Sequence, residues 1–166
     1  MAVVIPAFNE ERSIGKVLAD IPASVTRVVV ADNASTDRTA EEARKGGAWV
    51  VHESRKGYGF ACLKALESLA QDPPAIVVFL DGDYSDYPEE LPLLTQPIAS
   101  GAVDFVVGAR RVAGREKGAL TPQQIFGNAL ACTLMRWASP RQFTDVGPFR
   151  AIRWDRLQEL EMEDKT

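Results

Sequence analysis

The chain has 166 residues, 46% of them hydrophobic and 25% charged, ordinary globular values that exclude long-range disorder. At about 150 residues per domain this is one domain, long enough to bury roughly 68–70% of its extended surface without a disulfide or metal. Nineteen basic and twenty-three acidic residues give a net charge of −4, which argues against a nucleic-acid protein held by a global basic surface.

In chain order, residues 2–5 form a short apolar run closed by Pro6. Residues 10–20 put Ile14, Val17 and Leu18 at helical spacing, with Asn9 as N-cap and Glu10 and Glu11 at the positive helix end. A strand at 27–31 leads into the turn-rich Asp32-Asn33-Ala34-Ser35. A helix at 37–45 is stopped by Gly46-Gly47, a strand follows at 48–52, and a helix at 57–69 is broken by Asp72-Pro73-Pro74. The fully apolar run 76–80 reads as a strand buried on both faces of a parallel sheet. Asp81-Gly82-Asp83 follows at once.

The second half is less regular. Residues 88–98 look helical, shortened or bent by Pro92 and Pro97, and 103–107 read as a strand. Residues 108–118 make a basic, glycine-containing loop. Residues 122–138 form a helix with proline in its first turn, 148–154 a short strand, and 157–162 a weak helical tail. Strands alternating with helices imply a mostly parallel α/β sheet with right-handed crossovers. Ligands of such sheets bind beyond the carboxyl ends of the strands, so Pro6–Glu10, Asp32-Asn33 and Asp81–Asp83 are expected to converge on one edge.

Charge is uneven. Residues 105–157 hold nine Lys/Arg and three Asp/Glu, while the remaining 113 residues hold ten and twenty. Either charge simply fluctuates along the chain, or an anionic ligand or surface meets the basic third. Cys62 and Cys132 stand far apart and His52 is the only histidine, which removes the usual Cys/His zinc sites and fits buried thiols in a reducing compartment. The longest strictly apolar stretch, 75–80, falls far short of the ~20 residues that span a bilayer, and no signal peptide is visible.

Asp81-Gly82-Asp83 is the sharpest chemical signal. Two carboxylates at i and i+2 past a buried strand can share a divalent cation, or simply make an acidic surface turn; hard oxygen ligands suit Mg2+ or Mn2+. Gly82 lets a ligand's phosphates approach the backbone, and Asp86 adds a third carboxylate. An EF-hand starting at Asp81 fails, because its sixth and twelfth positions are Asp86 and Pro92. A haloacid-dehalogenase phosphatase normally carries its acidic pair after the first strand, whereas here the pair closes the fourth. Asp32-Asn33 suits a ribose hydroxyl or base edge, or a helix-capping turn. Neither GxGxxG nor GxxxxGK[ST] occurs, which removes the ordinary dinucleotide and Walker-type sites. Lys56 and Gly57, at the start of the third helix, can hold an anion, or belong to a flexible basic loop. Arg110-Arg111, Arg150 and Arg153 offer guanidinium forks for phosphate, or a solvated surface. Asp145 is a candidate general base or a turn cap.

Val3-Val4-Ile5-Pro6-Ala7-Phe8-Asn9-Glu10-Glu11, Val30-Ala31-Asp32-Asn33-Ala34-Ser35-Thr36-Asp37, Lys56-Gly57-Tyr58-Gly59 and Phe79-Leu80-Asp81-Gly82-Asp83, in this order and spacing, resemble family 2 glycosyltransferases. Together with Thr144-Asp145-Val146-Gly147-Pro148-Phe149-Arg150-Ala151 they look most like the dolichyl- or polyprenyl-phosphate hexose synthase branch. The resemblance implies a GT-A (Rossmann-like) fold, a nucleotide-sugar-binding half at 1–100 and an acceptor-side half at 101–166. It also implies inverting transfer of a hexose from a UDP- or GDP-sugar. By similarity, Pro6, Ala7, Asn9, Glu10, Asp32 and Asn33 would line the base and ribose pocket, with Lys56, Gly57 and Gly82 near the nucleotide. Asp81 and Asp83 would hold Mg2+ or Mn2+, Arg110 and Arg150 an acceptor phosphate, and Asp145 would be the base for an alcohol acceptor.

Relatives continue past the equivalent of Thr166, so the acceptor half is expected to be C-terminally truncated. A lipid-phosphate acceptor implies action on the cytoplasmic side, with peripheral membrane contact through the apolar face of 122–138, a face that equally suits core packing. The alternatives are transfer to a soluble acceptor, a sugar nucleotidyltransferase and a non-catalytic nucleotide-sugar-binding module. The nucleotidyltransferase is disfavoured because Pro6–Glu10 lacks that class's glycine-rich, Arg/Lys-bearing loop.

Overall fold

Runs such as Val3-Val4-Ile5 and Ile76-Val77-Val78-Phe79 carry no polar side chain for either sheet face, so both faces must be covered. The computed structural model of the chain describes residues 1–108 and 147–161. In chain order these form β1 (Ala2–Ala7), α1 (Ile14–Asp20), β2 (Arg27–Asp32), α2 (Thr39–Lys45), β3 (Trp49–His52), α3 (Tyr58–Leu69) and β4 (Ile76–Phe79). A 3-10 turn at Pro88–Glu90 runs into α4 (Leu91–Ala99), followed by β5 (Phe105–Val107), β6 (Arg150–Arg153) and α5 (Trp154–Glu159). Met1–Val106 with Phe149–Thr166 make one compact unit and Val107–Pro148 a second.

The six-stranded sheet has the order β3-β2-β1-β4-β6-β5. β1 lies parallel to β2 and β4, β3 parallel to β2, and β6 antiparallel to β4. Side-chain alternation divides the core. Val3, Ile5, Val30 and Val78 pack with Ile14 and Val17 of α1, Ala43 of α2 and Leu94 of α4. Val4, Val29, Val77 and Phe79 pack on the other face with Ala61, Ala65 and Leu69 of α3 and Leu157 of α5. The expected mostly parallel α/β sheet flanked by helices is therefore the fold.

Three local departures have physical causes. β1 runs through Pro6 rather than stopping at it. Val4 bonds toward β4, where its carbonyl accepts the Leu80 N–H at 3.1 Å, and Pro6, two residues on, faces the same side. The β4 ladder ends at the Val4–Phe79 pair, so the N–H that proline lacks has no ladder partner to lose.

The first helix begins at Ile14, not at residue 10, and Asn9 is not its N-cap. Asn9 takes a left-handed φ of 59°, and its Oδ1 accepts the Thr36 N–H at 2.8 Å. The Glu10 N–H donates to Thr39 Oγ1 at 2.7 Å. Residues 9 and 10 thus tie the β1–α1 turn to the β2–α2 turn, and helix winding waits until Ser13. The third departure is β6, which inserts antiparallel between β4 and β5, opposing Arg150 to Phe79.

The expected helix at 122–138, most of the basic loop at 108–118, Arg111 and Cys132 lie outside the described residues. Cys62 is buried and unbridged, as expected. Among the described residues no helix is long and apolar enough to cross a membrane.

Candidate functional site

The carboxyl ends of β1, β2 and β4 and the start of α3 enclose a cleft of about 370 Å3. Pro6, Ala7 and Glu10 line it from the β1 end, Asn33 from β2, Lys56 and Gly57 from the turn into α3, and Asp81, Gly82 and Asp83 from β4. The expected convergence is thus seen for the ends of β1 and β4 and for Asn33, though not for Asn9 or Asp32.

Each wall has a local cause. Gly82 is buried against β1 and Glu10; a Cβ there would stand 3.5 Å from Ala7 Cβ and from Glu10 Cγ. Asp83 closes an Asx turn, its Oδ1 accepting the Ser85 N–H at 2.9 Å. The next residue, Tyr84, has a left-handed φ of 64° and donates its hydroxyl to Asp20 Oδ2 at 2.5 Å. The acidic loop is therefore anchored to the end of α1. Glu10 Oε2 accepts the Ser13 hydroxyl at 2.5 Å. Lys56 brings a cation into this acidic cleft, its Nζ 5.5 Å from the centre of the Phe8 ring. Asp81 is half-buried and Asp83 exposed. Among the described residues no three His, Cys, Asp or Glu side chains gather as a metal cage. Two hard carboxylates with ligand phosphate and water are nevertheless the donor set that Mg2+ or Mn2+ commonly takes, so Asp81 and Asp83 fit that ion.

Three expected site residues stand off the lining. Asn9 is used in the turn-to-turn bond described above. Asp32 is buried; its Oδ2 lies 3.0 Å from His52 Nδ1, and its Oδ1 has no hydrogen-bond partner. Arg150 lies with its guanidinium 5.4 Å from the centre of the Phe79 ring. Its charge reaches the cleft wall through Tyr58 and Cys62, opposing the burial that pushes the Cys62 thiol up to about 12. The Tyr58 phenol is likewise pushed up, by desolvation and then by Cys62 and Asp81. Arg110 and Asp145 lie outside the described residues.

Phe8, Tyr58 and Ala61 also line the cleft, and none was singled out from the sequence. Phe8 is 47% exposed. Its signal was legible: an aromatic placed directly after a buried strand, in a polar turn, where it has no core to join.

Comparison with known proteins agrees with this geometry. The model of the glycosyl transferase family 2 matches residues 2–160. The chain belongs to the family 2 glycosyltransferases, and its sheet and helices are the GT-A fold of those enzymes. An uncharacterized glycosyltransferase of Mycobacterium tuberculosis is 38% identical over 166 residues, covering 99% of this chain and 72% of that protein. A dolichyl-phosphate hexose transferase of Haloferax volcanii is 42% identical over 118 residues, 70% of this chain and 50% of that one. Among solved structures, glucosyl-3-phosphoglycerate synthase of M. tuberculosis, in complex with Mn2+, UDP-glucose and phosphoglyceric acid, superposes with a TM-score of 0.73. That synthase is 27% identical, and the match covers 93% of this chain and 56% of the synthase. The chain thus spans about half the length of that structure.

Proposed function

We propose that this chain carries the donor site of a metal-dependent inverting glycosyltransferase that moves a hexose from a UDP- or GDP-sugar to an anionic acceptor, foremost a polyprenyl phosphate, on the cytoplasmic side of a membrane. The observation that carries the reading is the single cleft in which Asp81, Asp83 and Lys56 meet at the carboxyl ends of three parallel strands. The nucleoside lies along the β1 and β2 ends, its base on the exposed face of Phe8. The diphosphate lies over the Asp81–Asp83 turn, with Lys56 neutralising part of its charge. A divalent ion held by Asp81 and Asp83 supplies stabilisation of the negative charge that develops on the leaving nucleotide diphosphate. An acceptor phosphate is already nucleophilic and needs no strong base; Arg150, with Arg110, draws it in, and Asp145 serves only if the acceptor is an alcohol.

The dolichyl-phosphate hexose transferase relative and the basic balance of residues 105–157 support the lipid-phosphate acceptor. A second reading keeps the chemistry and changes the acceptor to a soluble phosphate-bearing acid. It is favoured by the phosphoglyceric acid bound to the related synthase.

Calorimetric titration of UDP and GDP, with Mn2+ and with EDTA, tests the donor site. One nucleotide binds in Mn2+ and not in EDTA, and Asp83→Ala abolishes the binding. Failure of both nucleotides to bind a folded chain overturns the assignment. Transfer assays with polyprenyl phosphate and with 3-phosphoglycerate then separate the two acceptors, and binding with no transfer to any acceptor leaves a nucleotide-sugar-binding module.

A further inference from the structure

Residues 53–57 connect β3 to α3, and Lys56 and Gly57 line the cleft. A short polar turn ending in glycine has little reason of its own to hold one shape, yet this one is tied at several points. Asn33 Nδ2 donates to the Glu53 carbonyl at 3.3 Å and to the Arg55 carbonyl at 2.6 Å. Asn33 Oδ1 accepts the Gly57 N–H at 2.8 Å. The Glu53 carboxylate takes both Nε and Nη2 of Arg55, at 3.0 and 2.9 Å. The Arg55 guanidinium lies 4.4 Å from the centre of the Phe60 ring, on the first turn of α3. Gly57 has a φ of 147°, and a Cβ there would meet Phe60 Cδ2 at 3.2 Å.

An asparagine amide has two N–H donors, and both are in use. Asn33 is buried, 7% exposed, and although it borders the cleft it has no N–H left for a ligand. We propose that Asn33 is a positioning residue and not a nucleoside contact: it clamps residues 53–57 so that Lys56 and Gly57 already face the donor's diphosphate before it arrives. The ordering entropy of the turn is then met on folding rather than on binding. This inference rests on the donor-site reading above and reassigns one residue within it.

The test compares wild type, Asn33→Ala, Lys56→Ala and the double variant. Affinity for UDP and GDP in Mn2+ is measured by calorimetry, and affinity for uridine and guanosine by ligand-detected NMR. Asn33→Ala weakens the diphosphate that wild type binds by about tenfold and leaves the matching nucleoside within about twofold. The double variant binds no more weakly than Lys56→Ala alone. Equal losses for nucleoside and diphosphate mean that Asn33 touches the nucleoside and overturn the inference. Unchanged affinity, or losses that add fully in the double variant, also overturn it. If Asn33→Ala does not fold, Glu53→Gln loosens the same turn from its other end, and a diphosphate-only loss is expected there too; no loss, or one shared by the nucleoside, overturns the inference. A wild type that binds neither nucleotide overturns the donor reading, and this inference with it, whereas a binding wild type with an unaffected Asn33→Ala overturns this inference alone.

Discussion

Two small residues beside the cleft play opposite parts. At Gly82 a methyl group meets Ala7, Glu10 and Ile5 at 3.5–3.6 Å, ordinary contact distances, and the backbone there is not left-handed. Gly82→Ala is therefore expected to fold with stability within about 0.5 kcal/mol of wild type. The methyl group packs against Ala7 and Glu10, both of which line the cleft, so nucleotide affinity is expected to fall, by up to about tenfold. A thermal melt and a UDP or GDP titration on the same sample separate the two effects. Ala34 is the reverse case. It sits at a φ of 57°, a conformation that costs an L-residue roughly 1–2 kcal/mol and glycine almost nothing, against glycine's larger unfolded-state entropy. Ala34→Gly is expected to raise stability by about 0.5 kcal/mol, read as a higher urea midpoint at unchanged slope. A lower midpoint would show that the turn does not hold that φ in solution.

The β3–α3 turn also sets a pH dependence. The Arg55 guanidinium donates to Glu53, and its backbone N–H adds a further bond; together they hold the Glu53 carboxyl down to about 2 from an ordinary 4.5. A carboxylate lowered on folding stabilises the native state above its unfolded pKa, and that contribution is lost as pH falls through the folded value. Glu53 therefore adds to the acid limb of the stability curve between about pH 5 and pH 2. Glu53→Gln is expected to flatten that limb and leave the neutral-to-alkaline side with the same shape, measured as urea midpoints across pH. What the sequence revealed about these elements follows the same physics. β1, β2 and β4 were legible because covered strands admit only apolar residues, and the acidic pair was legible because it interrupts such a run. Pro6 reads as a stop in any single strand, since its tolerance depends on where β4 ends. Asn9 and Asn33 look like site or cap residues because their type suits both roles. Only the turns they meet, at Thr36 and at residues 53–57, reveal that they join loops. β6 is four residues long, and its neighbour in the sheet is remote in sequence, so no local pattern could seat it beside β4.

At the scale of the whole molecule, every cleft-lining residue belongs to the unit made by Met1–Val106 and Phe149–Thr166. The walls come from β1, β2, β4 and α3, whose packing faces belong to both halves of the core. A ligand that bridges these strand ends binds the folded sheet and has no counterpart in the unfolded chain. Its binding energy is then added to the stability of that unit, by about 2.7 kcal/mol at a ligand concentration one hundred times Kd. For a chain of this length each kcal/mol moves the melting temperature by roughly 2–4 °C, so a saturating nucleotide with Mn2+ is expected to raise it by roughly 5–10 °C. EDTA or Asp83→Ala should remove the rise, because without the divalent ion the diphosphate meets the carboxylates that remain in the cleft with only Lys56 to offset them. Hydrogen exchange on the same samples locates the effect: protection gained on binding should fall on the turns after β1, β2 and β4 and on residues 53–57. It should leave the opposite edge, where Arg27 pairs with Asp72 at 2.6 Å, at its unliganded rate. Protection spread evenly over the sheet would mean that the nucleotide stabilises the chain without occupying the cleft.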